Sequence, residues 1–152
     1  MDFNKLLLDK AIDPKQVLVL RHRPSEPQLN KVLPWLAAEK PDLFNAYQQT
    51  QGEKLERVMR PMEGSGYVAS FIGHEAGKAL FVGLYSIGKS KRLTRDEYRN
   101  HPAHIQLRTH GMKGFTSDDK RSSILWFDLL LTDFYTDWKG RLIVRWPSPE
   151  RA

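Results

Sequence analysis

The stretch Tyr67–Gly88, Tyr-Val-Ala-Ser-Phe-Ile-Gly-His-Glu-Ala-Gly-Lys-Ala-Leu-Phe-Val-Gly-Leu-Tyr-Ser-Ile-Gly, constrains the fold more than any other. Two apolar runs, Tyr67–Ile72 and Ala79–Ile87, flank a connection of turn residues, Gly73 to Lys78, and both runs are rich in β-branched and aromatic residues. That pattern predicts a β-hairpin. Tyr67, Ala69 and Phe71 fall on one face of the first run, Val68 and Ile72 on the other, so both faces are apolar. A strand of this kind belongs inside a sheet or barrel that is covered on both sides. The hairpin is therefore core, and a site can open only at its exits, around His74 and after Tyr85.

Composition narrows the class. With 152 residues the chain is long enough to bury one substantial core, and 40% hydrophobic with 28% charged residues is globular. The formal net charge of +6 favours an anionic partner. There is no cysteine, which removes disulfides and thiolate metal sites. The N-terminus, Met1-Asp2-Phe3-Asn4-Lys5-Leu6-Leu7-Leu8-Asp9, has neither the basic start nor the long apolar core of a signal peptide, and no apolar run approaches membrane-spanning length. The expectation is a cytoplasmic protein with no membrane partner.

Phe3, Leu6 and Leu7 predict a short amphipathic helix ending near Ala11, and Val17–Leu20 a short buried strand running into Arg21-His22-Arg23-Pro24. Ser25-x-x-Gln28 has the form of a capping box. Pro34 divides Asn30–Lys40 into two short helices or kinks one. A longer helix is expected after Pro41-Asp42, with Leu43, Tyr47, Leu55, Val58 and Met59 along one face and Gly52 as a candidate break. Thr94-x-x-Glu97 predicts a capped short helix that ends before Pro102, Ile105 and Leu107 a brief strand, and the rest of Gly88–Gly114 a loop. Ser123–Leu131 is a strong strand, Asp133–Trp138 a short helix or turn, and Leu142–Val144 a last strand. The order does not alternate as a doubly wound sheet would. It implies α+β: a small curled, mostly antiparallel sheet or partial β-barrel with helices packed against it.

Two constellations are candidates for binding. Lys89, Lys91, Arg92, Arg95, Arg99, Arg108 and Lys113 stand against only Asp96 and Glu97, which concentrates the charge excess in one segment. Lys and Arg gathered on one surface displace counterions from phosphates, so these are the candidate nucleic-acid contacts. The second constellation is a pocket. Arg21, His22 and Arg23 follow a buried strand, where an Arg can fork onto phosphate or a guanine edge. Tyr85, Ser86 and Trp126 add aromatic faces and a hydroxyl of the kind that holds an extruded base. Phe71, Phe81 and Phe127 are assigned to the core.

Catalytic patterns are weak. His101-x-x-His104 with His110 lacks a third ligand at a recognisable spacing, so no metal and no cofactor is expected. Asp128 with Asp137-Trp138-Lys139 imitates the acid and Lys set of metal-dependent nucleases, but Asp137 and Lys139 run into Gly140 as at a helix end rather than along a strand. Gly83-Leu84-Tyr85-Ser86-Ile87-Gly88 echoes the letters of a GIY-YIG nuclease, yet contiguous triplets in one strand cannot build that site. No catalytic residue is assigned.

Leu18–His22, Leu43–Gln51, Ala69–His74, Leu80–Tyr85 and Gly140–Pro147 together resemble the N-terminal accessory region of bacterial GIY-YIG nuclease family proteins. The resemblance implies a single accessory domain over residues 1–152, cut before a C-terminal nuclease domain that would be its partner in cis. Leu80–Tyr85 is also similar to one strand of PUA-like and EVE-like domains, small β-barrels that hold an extruded modified base. Together these imply a non-catalytic domain that binds double-stranded DNA, reads a modified base, and targets the attached nuclease in restriction or defence. Two rival expectations are a protein-interaction domain docking through the helices after Ser25, and a metal-dependent nuclease using Asp128, Asp137 and Lys139.

Overall fold

In the computed structural model, which describes residues 3–22, 29–49, 57–73, 77–110 and 122–145, the chain opens with α1 (Phe3–Asp9). The i, i+3, i+4 spacing of Phe3, Leu6 and Leu7 puts them on one face, and Leu7 is fully buried. A 3₁₀ turn, Pro14–Gln16, is capped by Asp13, whose carboxylate accepts from the Lys15 amide. It leads into β1 (Val17–His22). Two helices follow, α2 (Leu29–Glu39) and α3 (Pro41–Gln49). A single span runs through Pro34, so Asn30–Lys40 is not two helices. Pro41 opens α3, where a missing amide hydrogen removes no intrahelical bond. Ser25, Gln28, Gly52, Leu55 and His74 lie outside the described residues.

The hairpin forms as its composition requires. β2 (Tyr67–Gly73) and the long β3 (Lys78–Thr94) pair antiparallel, with Tyr67 opposite Ser86 and Ile72 opposite Leu80. β1 lies parallel to β2 on the outer side, Val17 opposite Tyr67 and His22 opposite Ile72. That pairing needs a crossover, which α2 and α3 supply. On its other edge β3 carries β4 (Ser123–Leu131) and then β5 (Ile143–Arg145), both antiparallel to it. The result is an open five-stranded mixed sheet, mostly antiparallel, in an α+β fold.

Residues 88–94 are strand rather than loop, and they make β3 17 residues long. At ~3.3 Å per residue a straight strand of that length would span about 55 Å, too far for one small core to cover. Two irregularities break the run. Val82 is extra between the Ser70–Gly83 and Phe71–Phe81 pairs. Gly88 and Lys89 together face Asp128, between the Ile87–Leu129 and Ser90–Phe127 pairs. Extra residues of this kind bend a strand and increase its twist, which curls the sheet. A Cβ on Gly88 would stand 2.8 Å from the Asp128 carbonyl oxygen, so the second irregularity requires glycine.

The sheet is buried on both faces, as its double-sided apolar pattern demands. One face packs Val68, Ile72, Val82, Tyr85, Ile87, Leu125, Phe127 and Leu129 against α2 and α3. Asn45 of α3 fixes that layer by donating from Nδ2 to the Leu129 carbonyl at 3.0 Å. The other face packs Ala69, Phe71, Phe81 and Leu84 against α1 and the excursion 132–142 between β4 and β5. Phe3 lies 5.2 Å from Phe71 edge-on, and the Tyr135 hydroxyl donates to the Leu6 carbonyl.

Beyond β3 come α4 (Arg95–Arg99) and α5 (Pro102–Thr109). α4 begins with the expected reciprocal cap: Thr94 accepts from the Glu97 amide, and Glu97 accepts from the Thr94 amide. α5 corrects the reading of Ile105 and Leu107 as a strand. Pro102 stands in its first turn, the His101 ring accepts from the Ala103 amide at 3.1 Å, and the buried side is His104 and Leu107, three apart. Ile105, which suggested alternation, is exposed.

Gly88→Ala is expected to lower stability by about 1–3 kcal/mol, because a backbone oxygen, not a movable side chain, meets the added methyl. A denaturant titration reads this as a lower midpoint at unchanged slope.

Candidate nucleic-acid interface and buried polar cluster

Strand pairing decides where the basic residues point, because directly paired residues share a face. Ser90 and Arg92 pair with Phe127 and Leu125, so they stand on the face of α2 and α3. Lys91 pairs with Trp126, so it stands on the opposite face, where Leu93, Ile124 and Trp126 pack around Tyr98 of α4. Lys89, Lys91, Arg92 and Arg108 are exposed, while Arg95 and Arg99 are half-buried. Arg92 is tethered, its guanidinium donating to the Ser123 hydroxyl at 3.0 Å. All six lie on the projecting end of β3 and the two helices that follow it. Lys113 lies outside the described residues.

The corner between α4 and α5 concentrates this charge. His104 is buried there with its Nδ1 3.2 Å from the Arg99 carbonyl. Burial, first, and the cationic surroundings of Arg108, Arg99 and His101 hold its imidazole below the usual histidine range, and the Arg99 carbonyl only partly opposes them. The His101 ring lies 4.7 Å from Trp126 at 33° between planes, and Tyr98 lies 5.8 Å from Trp126 on the same small core. The corner thus combines several cations with a half-buried indole directly across from Lys91.

The six pocket candidates do not converge on one spot. Arg21 and His22 are consecutive on β1 and project from opposite faces. The Arg21 guanidinium donates to the Lys78 carbonyl at 3.3 Å and covers Gly73, on the side of α1. His22 turns towards α3, with its ring 5.3 Å from both Phe44 and Tyr47. Tyr85 and Ser86 divide in the same way: Tyr85 lies on the α3 side, 6.5 Å from Phe44, while Ser86 donates to the Leu130 carbonyl. Trp126 belongs to the α4 corner. Arg23 lies outside the described residues. His22 and Tyr85 are the two that share a face, each packed against Phe44.

Two polar residues join them that the sequence reading did not single out. Gln48, in the last turn of α3, is fully buried, and Ser70 on β2 donates to its Oε1. Ser70 faces Gly83 across the β2–β3 pair, and the Tyr85 ring lies over Gly83, its Cε2 3.3 Å from where a Cβ would be. Burial pushes the His22 imidazole down to about 4, against a weaker side-chain hydrogen bond with Gln48 that favours protonation. Burial, with the nearby charge of Asp42 adding to it, raises the Tyr85 phenol far above its ordinary range. Both side chains are therefore neutral at pH 7. Among the described residues, His22 Nε2, Gln48 Nε2 and the Tyr85 hydroxyl are buried with no protein hydrogen-bond partner. The signal for Gln48 was available: on a 3.6-residue period it shares the apolar side of α3 with Phe44 and Tyr47.

The acids of the nuclease alternative are separated by structure type. Asp128 is exposed on β4 opposite Gly88, whereas Asp137 and Lys139 lie in the turns of 132–142. Among the described residues no group of three His, Cys, Asp or Glu side chains is placed to hold a metal ion. His101, His104 and His110 each use Nδ1 on the backbone of α4 or α5. Among the described residues no helix is long and apolar enough to cross a membrane. No family model, no curated protein and no solved structure matches the chain.

His22 gives a pH dependence with a definite sign. Its pKa is lowered from 6.5 to about 4 in the folded protein, so the unfolded chain binds the proton first as pH falls. Its contribution is complete above pH 6.5 and declines below it, reaching a loss on the order of 3 kcal/mol near pH 4. Urea titrations from pH 7 to 4 on the wild type and His22→Leu are expected to show a shallower pH dependence in the variant.

Proposed function

We propose that this chain is a non-catalytic DNA-binding domain whose cationic end grips the phosphate backbone, and that it directs a GIY-YIG-type nuclease domain joined to it. The observation that carries the binding half is the gathering of Lys89, Lys91, Arg92, Arg95, Arg99 and Arg108 on one projecting end of β3 and on α4 and α5. Lys89, Lys91, Arg92 and Arg108, the exposed members, stand on a strand and a capped helix and release counterions from DNA without first folding.

Trp126 supports a base contact at this end. Its indole is held between His101 and Tyr98, and Lys91 stands directly across from it. An aromatic face beside a phosphate-binding cation suits an unstacked or modified base better than a paired one. The nuclease-directing role in restriction or defence rests on the family resemblance of the strand and helix segments, and it assigns chemistry to the partner domain alone.

Fluorescence anisotropy with labelled duplex DNA at two salt concentrations tests the binding reading. Affinity should fall steeply with salt. Lys91→Ala and Arg108→Ala should each weaken binding about equally across sequences and reduce the magnitude of the log–log salt slope by about 1. Lys15→Ala, on the 3₁₀ turn before β1, should leave the slope unchanged. Absence of measurable affinity even at low salt would sink the proposal.

A further inference from the structure

Among the described residues, one stretch of the sheet is left between its covers. On the face opposite α2 and α3, the α1 layer ends at Leu84 of β3, and the α4 cluster begins at Leu93. Between them Ser86 and Gly88 are half-buried and Lys91 is exposed. β4 runs alongside with Trp126, Asp128 and Leu130, which strand alternation puts on that same face. Cover falls away along this stripe. Trp126 is half-buried, Asp128 is exposed, and Leu130, 67% exposed, is the most open large apolar side chain among the described residues. The result is a ledge on which a carboxylate stands between an indole and a leucine. The residues beside it are small: Gly88 faces Asp128, and Ser86 is drawn onto the sheet by donating to the Leu130 carbonyl.

The carboxylate runs against its setting. Asp128 faces Gly88 and Lys89, and Lys91 stands across from Trp126, which is the next residue on the same face of β4, about 7 Å along the strand. On a surface that only gathers phosphates, a negative charge here weakens every contact. Both carboxylate oxygens can only accept, so on such a surface they suit the donors of a base. We propose that Asp128 reads an unpaired guanine laid on this ledge. The N1–H and the N2 amine of guanine are adjacent donors that match the two carboxylate oxygens. Thymine flanks its one N–H with carbonyls that repel a carboxylate, and adenine and cytosine each set a single amine beside an acceptor nitrogen. That edge of guanine is taken up by cytosine in a duplex, so only an unpaired nucleotide offers it. Gly88 and Ser86 let the ring lie low, Leu130 gives it apolar contact, and Lys91 is placed for the adjoining phosphate.

The inference rests on the DNA-binding reading and deepens it by naming the base that is read. Labelled single strands of deoxythymidine, either unmodified or carrying one central dG, deoxyinosine, dA or dC, are titrated into the whole chain and followed by fluorescence anisotropy. Inosine keeps the N1–H of guanine and lacks its N2 amine. The dG strand should bind the wild type about tenfold more tightly than the inosine and all-thymidine strands. Asp128→Asn should reduce that preference to less than about twofold. The all-thymidine strand should bind this variant no more weakly than the wild type, because a negative charge has gone, and that retained affinity shows the variant to be folded. Equal affinity of the wild type for every strand, with Asp128→Asn tightening all of them alike, would overturn the inference and leave the cationic interface standing. A dG preference that survives in Asp128→Asn would overturn it too, as would a preference for another base. Absence of binding to any strand at low salt would remove the DNA-binding reading and this inference with it.

Discussion

Everything in this molecule is arranged around the need to cover β3 from both sides. Tyr85 and Ile87 project towards α2 and α3, while Phe81 and Leu84 project towards α1. Neither set can be buried unless helices lie on both faces, and a fully buried Phe or Leu side chain contributes about 1.5–3 kcal/mol. The chain meets the need asymmetrically. The crossover that makes β1 parallel to β2 brings α2 and α3 to one face, and the short α1 with the 132–142 excursion closes the other. The last third of β3 outruns only the α1 layer, since Phe127 and Leu125, opposite Ser90 and Arg92, belong to the α2–α3 layer. There the cover on that side is the small cluster of Leu93, Tyr98, Ile124 and Trp126, and the exposed positions are Lys89, Lys91, Arg92 and Thr94. The charged end is thus the part of the central strand that the α1 layer does not reach.

Local signals in the sequence carried local structure well. The hairpin, the Thr94–Glu97 cap, the strand at Ser123 and the Pro41 helix start all depend on residues a few positions apart. α5 was misread because Ile105 and Leu107 alternate, while the pattern that mattered was His104 and Leu107 behind a proline start. The parallel placement of β1 depends on contacts some fifty residues distant (Val17 with Tyr67), and no short-range pattern encodes such a pairing. Likewise β4 and β5 lie one after the other along the same edge of β3, a register that only the folded sheet defines.

The site residues divide along the same line. That the charge is concentrated after Gly88 is a property of composition and was legible. Which face each cation occupies was not, because the Gly88–Lys89 irregularity shifts the alternation by one step and only the pairing with Asp128 reveals it. The pocket set failed to converge for a simpler reason. Arg21 with His22, and Tyr85 with Ser86, are neighbours in sequence, and neighbours on a strand point apart. Applied strictly, the period of two would have split those pairs, while the shared face of His22 and Tyr85 follows only from the pairing of β1 and β3 with β2. Gln48 needed the complementary rule, a polar residue found at an apolar helical position.

The two candidate regions differ in what they ask of the fold. Exposed cations at the strand end cost little to maintain, because water and salt screen them and each loses only side-chain freedom when it meets a phosphate. Polar atoms in the core are different, since each needs a partner or an ordered water to offset the hydration it loses. A sheet face with ample apolar neighbours has no packing reason to keep His22, Gln48 and the Tyr85 hydroxyl together when leucine, methionine and phenylalanine would fill similar space. Their cost is carried by the rest of the layer, above all by Phe44, Leu33, Leu36 and Phe127, all of them almost completely buried. A core with this much buried apolar surface explains how such a cluster persists beneath α3.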